Sequence, residues 1–456
     1  MNIVVAGAGA GKTTSMAQKV IERYNKITNK EDKMIFVVSY TNAAKNNIEK
    51  EIKARIGSVP KQIKVSTIHS FLLHQIIYPY HHFVYEQHFT SSSSSRLPSS
   101  NGYKNQRKKE LRSINIVHVE DATRVAKNVV YGKSDDRKKN RVKRKRILKL
   151  LTSYIDSIYV DEAQDMDKYF SQVLIALDEE DIKIDLIGDP KQDLRNNGVF
   201  TKLIEERDEV NYIGLTHRCP KKHVNLSNQY VREKERQYSN KPNGSIHYLL
   251  ESETDIDHEI TNNYDLVYIY QKSGQFVTSK KQELITNTNL FLELKIFIEK
   301  YVDIGKEHIE PYAYLLLKRI ISRRKRGISP QKLTNHLLSK YFKYTDKNYA
   351  RIITAIKALD DGDSNNENVL VDSIDKIKGL EGDKCLFIIT KAIAPYLFKE
   401  KRERNKMLNY LYVGLTRSKN ELNLLIASDV ENNYGIDYLE DKLKQLGIEK
   451  KNLPKC

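Results

Sequence analysis

Residues 2–14 read Asn-Ile-Val-Val-Ala-Gly-Ala-Gly-Ala-Gly-Lys-Thr-Thr, and this stretch decides which fold the chain adopts. Its apolar start predicts a buried strand, and the residues that follow Thr13 have the apolar spacing of a helix. A glycine loop between a strand and a helix is the context that a phosphate-binding loop requires. The other interpretation is a flexible turn, and the loop by itself leaves the class of nucleotide-binding protein open.

The loop predicts a site for nucleotide phosphates. Backbone N–H groups at the start of a helix bind phosphate oxygens, Lys12 adds a cation, and the Thr13 hydroxyl can bind Mg²⁺. The first glycine of the usual pattern is replaced by Ala6. The residues expected to surround the phosphates are Gly7, Ala8, Gly9, Ala10, Gly11, Lys12, Thr13 and Thr14.

The composition points to a polyanionic partner. The 456 residues contain 77 Lys and Arg against 59 Asp and Glu, a formal net charge of +18, and nucleic acid is the leading candidate. No run approaches the roughly 18 apolar residues of a membrane span. Met1 leads into the first strand without a signal peptide, so we expect a cytoplasmic location. Cys219, Cys385 and Cys456 lack the spacing of a zinc site or a disulfide framework.

Short β-rich runs alternate with longer amphipathic segments, which predicts an α/β fold with enough strands for two parallel sheets covered by helices. Two intervals, at about 72–152 and 290–365, interrupt this rhythm as insertions. The predicted strands are Ile3–Ala6, Met34–Ser39, Ile63–Ser66, Ser157–Val160, Ile184–Ile187, Val210–Gly214, Asp265–Tyr270, Val369–Val371, Cys385–Ile389 and Leu422–Ile426.

Carboxylates follow one of these predicted strands. A carboxylate at the C-terminal edge of a strand beside a phosphate-binding loop can bind Mg²⁺, and its neighbour can activate the attacking water. We therefore expect these two roles for Asp161 and Glu162. Gln192 follows the next strand and is placed to reach the γ-phosphate. Arg218 and Arg417 follow apolar segments, and the planar fork of arginine suits the oxygens of a transferring phosphoryl group.

Read in order, these segments resemble the motifs of superfamily 1 DNA helicases of the UvrD/Rep type, along nearly the whole chain. The loop that begins with alanine is that family's own form. Residues 39–44 resemble its Thr-Phe-Thr-Asn motif, and residues 66–71 resemble its Thr-Phe-His-Ser motif. The further matches are residues 161–165 with motif II, Gln192 with motif III, Arg218 with motif IV, residues 378–381 with motif V and residues 413–418 with motif VI.

The resemblance implies an ATP-dependent DNA helicase or translocase with 3′ to 5′ movement, built from two RecA-like doubly wound parallel-sheet domains. The first domain would comprise residues 1–71 and 153–215, and the second 216–289 and 366–456. A basic insertion would span 72–152, and a short helical one 290–365. The family's motifs place Thr41, Asn42, Thr67 and His69 on single-stranded DNA, Gly379 and Glu381 beside the nucleotide, and His217 on its base.

Several features depart from the family pattern. Residues 193–197 lack the aromatic side chains that stack on DNA, Asp375 replaces the usual His, and the glutamine segment that reads adenine has no room before Asn2. The short second insertion resembles helicase-like subunits of Gabija anti-phage systems, which work beside an OLD-family (TOPRIM) nuclease, so such a partner is implied as well as DNA. Two alternatives stay open: a DNA-stimulated ATPase subunit of a nuclease complex without processive unwinding, and a DNA-binding protein without hydrolysis.

Residues 137–146 are all cationic except Asn140 and Val142. So dense a run repels itself unless it meets an anion, which predicts contact of Arg144 and Arg146 with DNA phosphates. The alternative is a solvated helix face. His81, His82 and His88 have a spacing that fits no common set of metal ligands.

Overall fold

The computed structural model describes residues 1–27, 32–98, 100–278, 283–357, 359 and 369–451. Cys456 and the ends of the predicted ranges 290–365 and 366–456 lie outside the described residues. Contacts divide the chain into two compact units. The first comprises the described parts of 1–89, 121–279 and 368–456, and the second those of 90–120 and 280–367.

The strands of both units share one property, since the named strand pairs are all parallel. They are β1 (Asn2–Ala6), β2 (Met34–Ser39), β3 (Ile63–Thr67), β4 (Ser91–Ser93), β5 (Ile116–His118), β6 (Ile155–Val160), β7 (Lys183–Gly188), β8 (Asn211–Ile213), β9 (Leu215–Thr216), β10 (Tyr238–Ser239), β11 (Ser245–Leu250), β12 (Leu266–Ile269), β13 (Phe276–Thr278), β14 (Val369–Ser373), β15 (Gly382–Ile389), β16 (Ser418–Ile426) and β17 (Glu449–Lys450).

Helices connect most of these strands. They are α1 (Lys12–Lys26), α2 (Asn42–Ile56), α3 (Ile68–Leu72), α4 (Tyr78–Tyr85), α5 (Asn101–Ser113), α6 (Ala122–Val130), α7 (Lys138–Tyr154), α8 (Lys168–Asp178), α9 (Val199–Glu205), α10 (Lys221–Ser227), α11 (Ile256–Asn263), α12 (Glu283–Tyr301), α13 (Lys306–Lys325), α14 (Pro330–Lys340), α15 (Asp346–Lys357), α16 (Ile374–Ile377), α17 (Ala394–Leu397), α18 (Lys406–Leu415), α19 (Ser428–Tyr434) and α20 (Ile436–Gln445). None of the described helices is both long and apolar enough to span a membrane.

The first unit contains both large sheets. One has six strands in the order β3-β2-β6-β7-β1-β8, and the other has seven in the order β13-β14-β12-β15-β16-β11-β17. Non-consecutive parallel neighbours joined by helices are the connectivity of doubly wound α/β domains. The predicted fold class, two RecA-like parallel-sheet domains, is therefore confirmed.

Each predicted strand is present, with bounds that differ by at most a few residues. Seven strands were not predicted: β11, β13 and β17 of the second sheet, and the short strands β4, β5, β9 and β10. Strand β11 lies between β16 and β17. Buried apolar side chains hold each sheet to its helices. Val4, Ile35 and Val37 pack against Met16 and Val20 of α1 in the first sheet.

The second unit is mainly helical. Its core consists of apolar side chains from α12 to α15, among them Leu294, Phe297 and Leu337. The short pair of β4 and β5 and helix α5 belong to the same unit, where Arg107 of α5 pairs with Glu293 of α12 at 2.9 Å. Residues 90–120, from the middle of the predicted insertion 72–152, thus group with 280–367, whereas 72–89 and 121–152 group with the two sheets. The predicted four-part boundaries remain a prediction.

Candidate nucleotide-binding site

The glycine loop has the predicted position between a strand and a helix. Strand β1 ends at Ala6, Gly11 adopts the left-handed conformation with φ 70°, and α1 begins at Lys12. Gly9 has the same φ, and a Cβ there would overlap the Cβ of Arg218. The Lys12 ammonium donates to the carbonyls of Ala6 and Gly7 at 3.4 Å. The lysine therefore lies over the loop, where it can meet a phosphate.

The order of the first sheet brings the other predicted residues to the same edge. Strand β7 lies between β1 and β6, and all three are parallel, so the segments that follow them emerge at one end of the sheet. Those segments carry the acids at 161–165 and the residues 189–192. The sequence motifs, up to 186 residues apart in the chain, thus share one edge because of the strand order.

Asp161 and Glu162 form a buried acidic pair. Asp161 is 2% exposed, and its carboxylate accepts a hydrogen bond from the Glu162 N–H at 3.0 Å. Burial and the neighbouring Glu162 charge raise the pKa of Asp161. Burial also acts on Glu162, but Lys12, Lys378 and a hydrogen bond from Gln164 outweigh it and lower the pKa of Glu162. Glu162 is thus the member of the pair that stays ionised and can accept a proton.

This oxygen-rich edge fits a divalent cation. Mg²⁺ prefers carboxylate and hydroxyl oxygens together with substrate phosphates, and a buried carboxylate with a raised pKa gains most from a cation. Asp161 and Thr13 are the residues that would hold it, and the ion would supply charge neutralisation of the phosphates. Within the described residues, no group of three His, Cys, Asp or Glu side chains forms a separate metal site.

Gln192 is held in place by its own segment. Its carboxamide donates to Asp189 at 2.8 Å, and Lys191 pairs with the same carboxylate at 2.8 Å. Gln164 accepts from the Asp189 N–H at 2.9 Å and donates to the Glu162 carboxylate. Gln164 and Asp189 lie inside the sequence motifs, but no role was predicted for either of them. They connect Gln192 to the catalytic candidate Glu162.

The two arginines differ in their surroundings. Arg218 donates to Glu381 at 2.7 Å and to the Thr416 carbonyl at 3.3 Å. Arg417 is 1% exposed and donates to the carbonyls of Val413 and Leu380 at 3.0 and 3.3 Å. Burial and the nearby Arg218 charge lower the pKa of Arg417 to about 10. In the part of the chain that the structure describes, no carboxylate pairs with Arg417, and its guanidinium donates to two carbonyls and to the Thr416 hydroxyl. Contact of this buried guanidinium with a phosphate stays a prediction.

His217 lies at the rim of the loop. Its backbone N–H donates to the Gly9 carbonyl at 2.8 Å, and its ring is exposed, 3.9 Å from the place of a Cβ on Gly11. Gly379 is also exposed, with φ 89°. The predicted roles of His217, Gly379 and Glu381 beside the nucleotide stay predictions.

The four predicted DNA contacts lie at the ends of neighbouring strands, since Ser39 of β2 pairs with Thr67 of β3. Thr41 accepts from the Ala44 N–H at 3.1 Å, and Thr67 accepts from the Ser70 N–H at 3.2 Å, so both cap helices. Asn42 and His69 are exposed. Capping and DNA contact are compatible, and the DNA roles remain predictions.

The predicted contact of Arg144 with DNA is wrong. It is 8% exposed and forms a short ion pair with Asp136, so its guanidinium lies inside the protein and not on a surface that DNA could reach. Arg146, two residues later on α7, is exposed, as are Lys139 and Lys145. His81, another residue singled out by its spacing, is buried and bonds the Gln87 carbonyl at 2.7 Å.

Segment 193–197, which follows Gln192, uses its polar groups within the protein. Asn197 donates to the carbonyls of Asp165 and Met166 at 3.1 and 3.2 Å, and the Arg195 guanidinium lies 5.7 Å from the centre of the Tyr40 ring. The Tyr40 ring is therefore already in contact with a cation.

Two sequence comparisons give matches to known proteins. Residues 1–153 match the family described as UvrD/REP helicase N-terminal domain. The Gabija protein GajB of Bacillus cereus (strain VD045) is 28% identical over 244 residues, which cover 51% of this chain and 46% of GajB. The chain thus spans about half the length of this curated relative.

Solved structures give weaker similarities. The PRRSV helicase covers 93% of this chain with a TM-score of 0.35, and arterivirus nonstructural protein 10, also a helicase, does so with 0.37. Both are 9% identical, and this chain covers 52% and 59% of them. Because these scores are low, the fold class rests on the two parallel sheets of the chain itself. Residues 1–153 are thus similar to the N-terminal domain of UvrD/REP helicases, and about half of the chain is similar to GajB.

Proposed function

We propose that the chain is an ATP-dependent DNA helicase or translocase of the UvrD type that uses Mg²⁺. One observation carries the proposal: the phosphate-binding loop of the first sheet lies against residues that belong with the second. The Ala8 N–H meets the Tyr412 hydroxyl of α18 at 3.3 Å, and helix α18 ends beside Arg417. A nucleotide between the sheets would contact both, which is how closure and opening of a cleft follow ATP binding and hydrolysis.

The roles within the reaction follow from charge and position. Lys12 and the loop N–H groups would bind the phosphates, and Glu162, as the ionised carboxylate beside them, would accept a proton from the attacking water. Gln192 would orient the γ-phosphate. Arg218 and Arg417 would stabilise the charge that develops on the transferring group. Movement along DNA, in the 3′ to 5′ direction, would result when closure alternates the affinity of the two domains.

The charge supports DNA as the partner. The net charge of +18 and the exposed cations of α7 favour a phosphate backbone. Similarity to the Gabija protein GajB supports a role in a system of that kind. The sequence resemblance adds anti-phage defence and a nuclease subunit of the OLD family to the proposal. Both roles are part of the proposal.

The test compares ATP hydrolysis and strand displacement on the same DNA. Glu162→Gln should lower hydrolysis stimulated by single-stranded DNA at least 100-fold, within the range of about 10²–10⁴ for a general base. Glu179→Gln, at the exposed end of α8, is the matched control and should leave the rate unchanged. A Glu162→Gln variant that hydrolyses ATP at the original rate would contradict the assignment.

The structure also favours a second candidate, a DNA-stimulated ATPase subunit of a nuclease complex without processive unwinding. The reason is segment 193–197, which offers no aromatic side chain, while Arg195 covers Tyr40. Stacking on an aromatic ring is worth about 1–3 kcal/mol per base, so its loss weakens the grip that unwinding needs. Hydrolysis stimulated by DNA without strand displacement would select this candidate.

A further inference from the structure

Both polar groups of the Ala8 peptide unit are bound by side chains from outside the loop. Ala8 is 1% exposed, and its N–H donates to the Tyr412 hydroxyl at 3.3 Å. Its carbonyl accepts from the Thr216 hydroxyl at 2.8 Å and from the Gln237 carboxamide at 3.1 Å. This part of the loop therefore faces the protein, and Tyr412, which lies 404 residues later in the chain, contacts it directly.

The contacts close into a cycle. The Tyr412 hydroxyl donates to the side-chain oxygen Oε1 of Gln237 at 2.8 Å, while the side-chain nitrogen Nε2 of Gln237 donates to the Ala8 carbonyl. A flipped carboxamide would place its oxygen against the Ala8 carbonyl, so the cycle fixes the orientation. Asn228 holds the backbone of Gln237 through two hydrogen bonds of 2.9 and 2.7 Å. A Cβ on Gly7 would overlap the Gln237 carboxamide, which shows how closely it packs on the loop.

Tyr412 also connects to the arginine candidate. Its carbonyl accepts from the Thr416 hydroxyl at 2.9 Å, and the Val413 carbonyl accepts from Arg417 at 3.0 Å. On its other side, the Lys191 ammonium lies 5.1 Å from the centre of the Tyr412 ring. Tyr412 thus contacts the loop through its hydroxyl and the end of α18 through its backbone carbonyl, and that helix end orients Arg417.

We infer that Tyr412 and Gln237 are positioning residues that couple the phosphate-binding loop to Arg417. The inference rests on the proposed ATPase activity. Helix α18 is a stiff element, and the cycle consists of directional, buried hydrogen bonds, so a shift of the loop on nucleotide binding moves the end of α18 with it. The cycle contacts the side of the loop that faces the protein interior. The two residues therefore position Ala8 and Arg417 and do not touch the nucleotide themselves.

The first experiment removes one oxygen atom. Tyr412→Phe breaks the cycle, and the kcat of DNA-stimulated ATP hydrolysis should fall about tenfold, as expected for a lost buried hydrogen bond. The Kd for a fluorescent ATP analogue should change less than about threefold, because the groups that bind the phosphates are intact. Tyr410→Phe is the matched control: it lies on the same helix, 1% exposed, and its hydroxyl bonds Asp375 at 2.8 Å instead of the loop.

A second variant tests the other half of the cycle. Gln237→Met keeps the length of the side chain and removes both polar atoms, and it should reproduce the loss of kcat. The double variant should be no slower than the slower single variant, because both changes break one unit. Additive losses, or equal effects of Tyr412→Phe and Tyr410→Phe, would overturn the inference.

Hydrogen exchange gives a readout that does not depend on hydrolysis. Without nucleotide, Tyr412→Phe should speed exchange of the amides in residues 7–11 and in α18, whereas Tyr410→Phe should affect α18 alone. Unchanged exchange in residues 7–11 would refute the coupling even if the variant is slow. If the wild-type chain fails to hydrolyse ATP on DNA, the proposed function fails, and exchange still decides whether Tyr412 holds the loop.

Discussion

Replacement of Arg144 by alanine should destabilise the protein without weakening its contact with DNA. The Asp136 carboxylate, whose side chain is 3% exposed, pairs with the Arg144 guanidinium and also accepts from the Lys133 N–H at 2.7 Å and the Tyr85 hydroxyl at 3.1 Å. Loss of one partner of a buried ion pair costs about 3–5 kcal/mol, because the other charge stays buried. The hydrogen bonds that remain on Asp136 place our expectation near the lower end, about 3 kcal/mol.

Urea unfolding of Arg144→Ala and Arg146→Ala measures this directly. Arg146 is exposed on the same helix, so its removal should change stability by less than about 0.5 kcal/mol. In DNA binding, Arg146→Ala should have the larger effect of the two variants. It should flatten the salt dependence of binding by about 0.7–0.9 in log–log slope if Arg146 contacts one phosphate, whereas Arg144→Ala should leave the slope unchanged. A stable Arg144→Ala variant with a flattened slope would refute the buried ion pair and restore Arg144 as a DNA contact.

The pH dependence supplies a second check on the same pair. Burial alone would raise the pKa of Asp136, but the Lys133 N–H, Asn140 and Arg144 outweigh it and lower the pKa. A lowered pKa contributes stability at pH values above the unfolded pKa, about 3.9 for Asp, and that contribution is lost as pH falls through the folded pKa. The difference between wild type and Arg144→Ala should therefore be largest near neutral pH and shrink below about pH 4.

Three further outcomes are expected from the nucleotide site. Arg417→Ala should lower kcat for ATP roughly 10³-fold or more, and a loss below tenfold would rule out its catalytic role. Asp161→Asn should raise the free energy of unfolding of the nucleotide-free protein by about 1–3 kcal/mol in urea. The gain should be larger at pH 8 than at pH 5, because the pKa of Asp161 is raised and its ionisation costs stability as pH rises. No gain at pH 8 would contradict this. His217→Ala should raise KM for ATP and GTP equally, about fivefold or more, since stacking is nearly blind to the base; an effect on ATP alone would refute stacking.

The sequence predicts what local patterns determine. The strand that ends at Ala6, the glycine loop and the helix from Lys12 follow from composition within about 25 residues. Strand β11 was missed because its apolar residues stand beside Ser245 and His247, and its place is set by pairing with β16, which lies about 170 residues later. Pairing over such a distance leaves no mark in the local pattern.

Charge density predicted the wrong environment for Arg144, although the spacing of apolar residues around it indicates the right one. The buried residues of α7 are Arg144, Ile147, Leu148 and Leu151, at the i, i+3, i+4 and i+7 positions of one helix face. An arginine that heads an apolar stripe is expected to face the core. The partner Asp136 could not be predicted in the same way, nor could Gln237, because nothing in the segment that contains it indicates a contact with Ala8.

Buried charges on the two sides of the site explain why nucleotide and closure belong together in the proposed mechanism. Asp161 and Glu162 repel each other at the edge of the first sheet, and Arg417 is buried against carbonyl groups with a lowered pKa. Either charge alone is unfavourable in a low-dielectric interior, where ions need a counter-charge. A nucleotide with its divalent cation carries both positive and negative charge. The cation would neutralise the acids, and the phosphates would neutralise the arginine. Both can happen together only when the loop and α18 are close enough to contact the same nucleotide. The Tyr412 contact with Ala8 keeps those two elements together, so we expect its loss to affect catalysis more than binding.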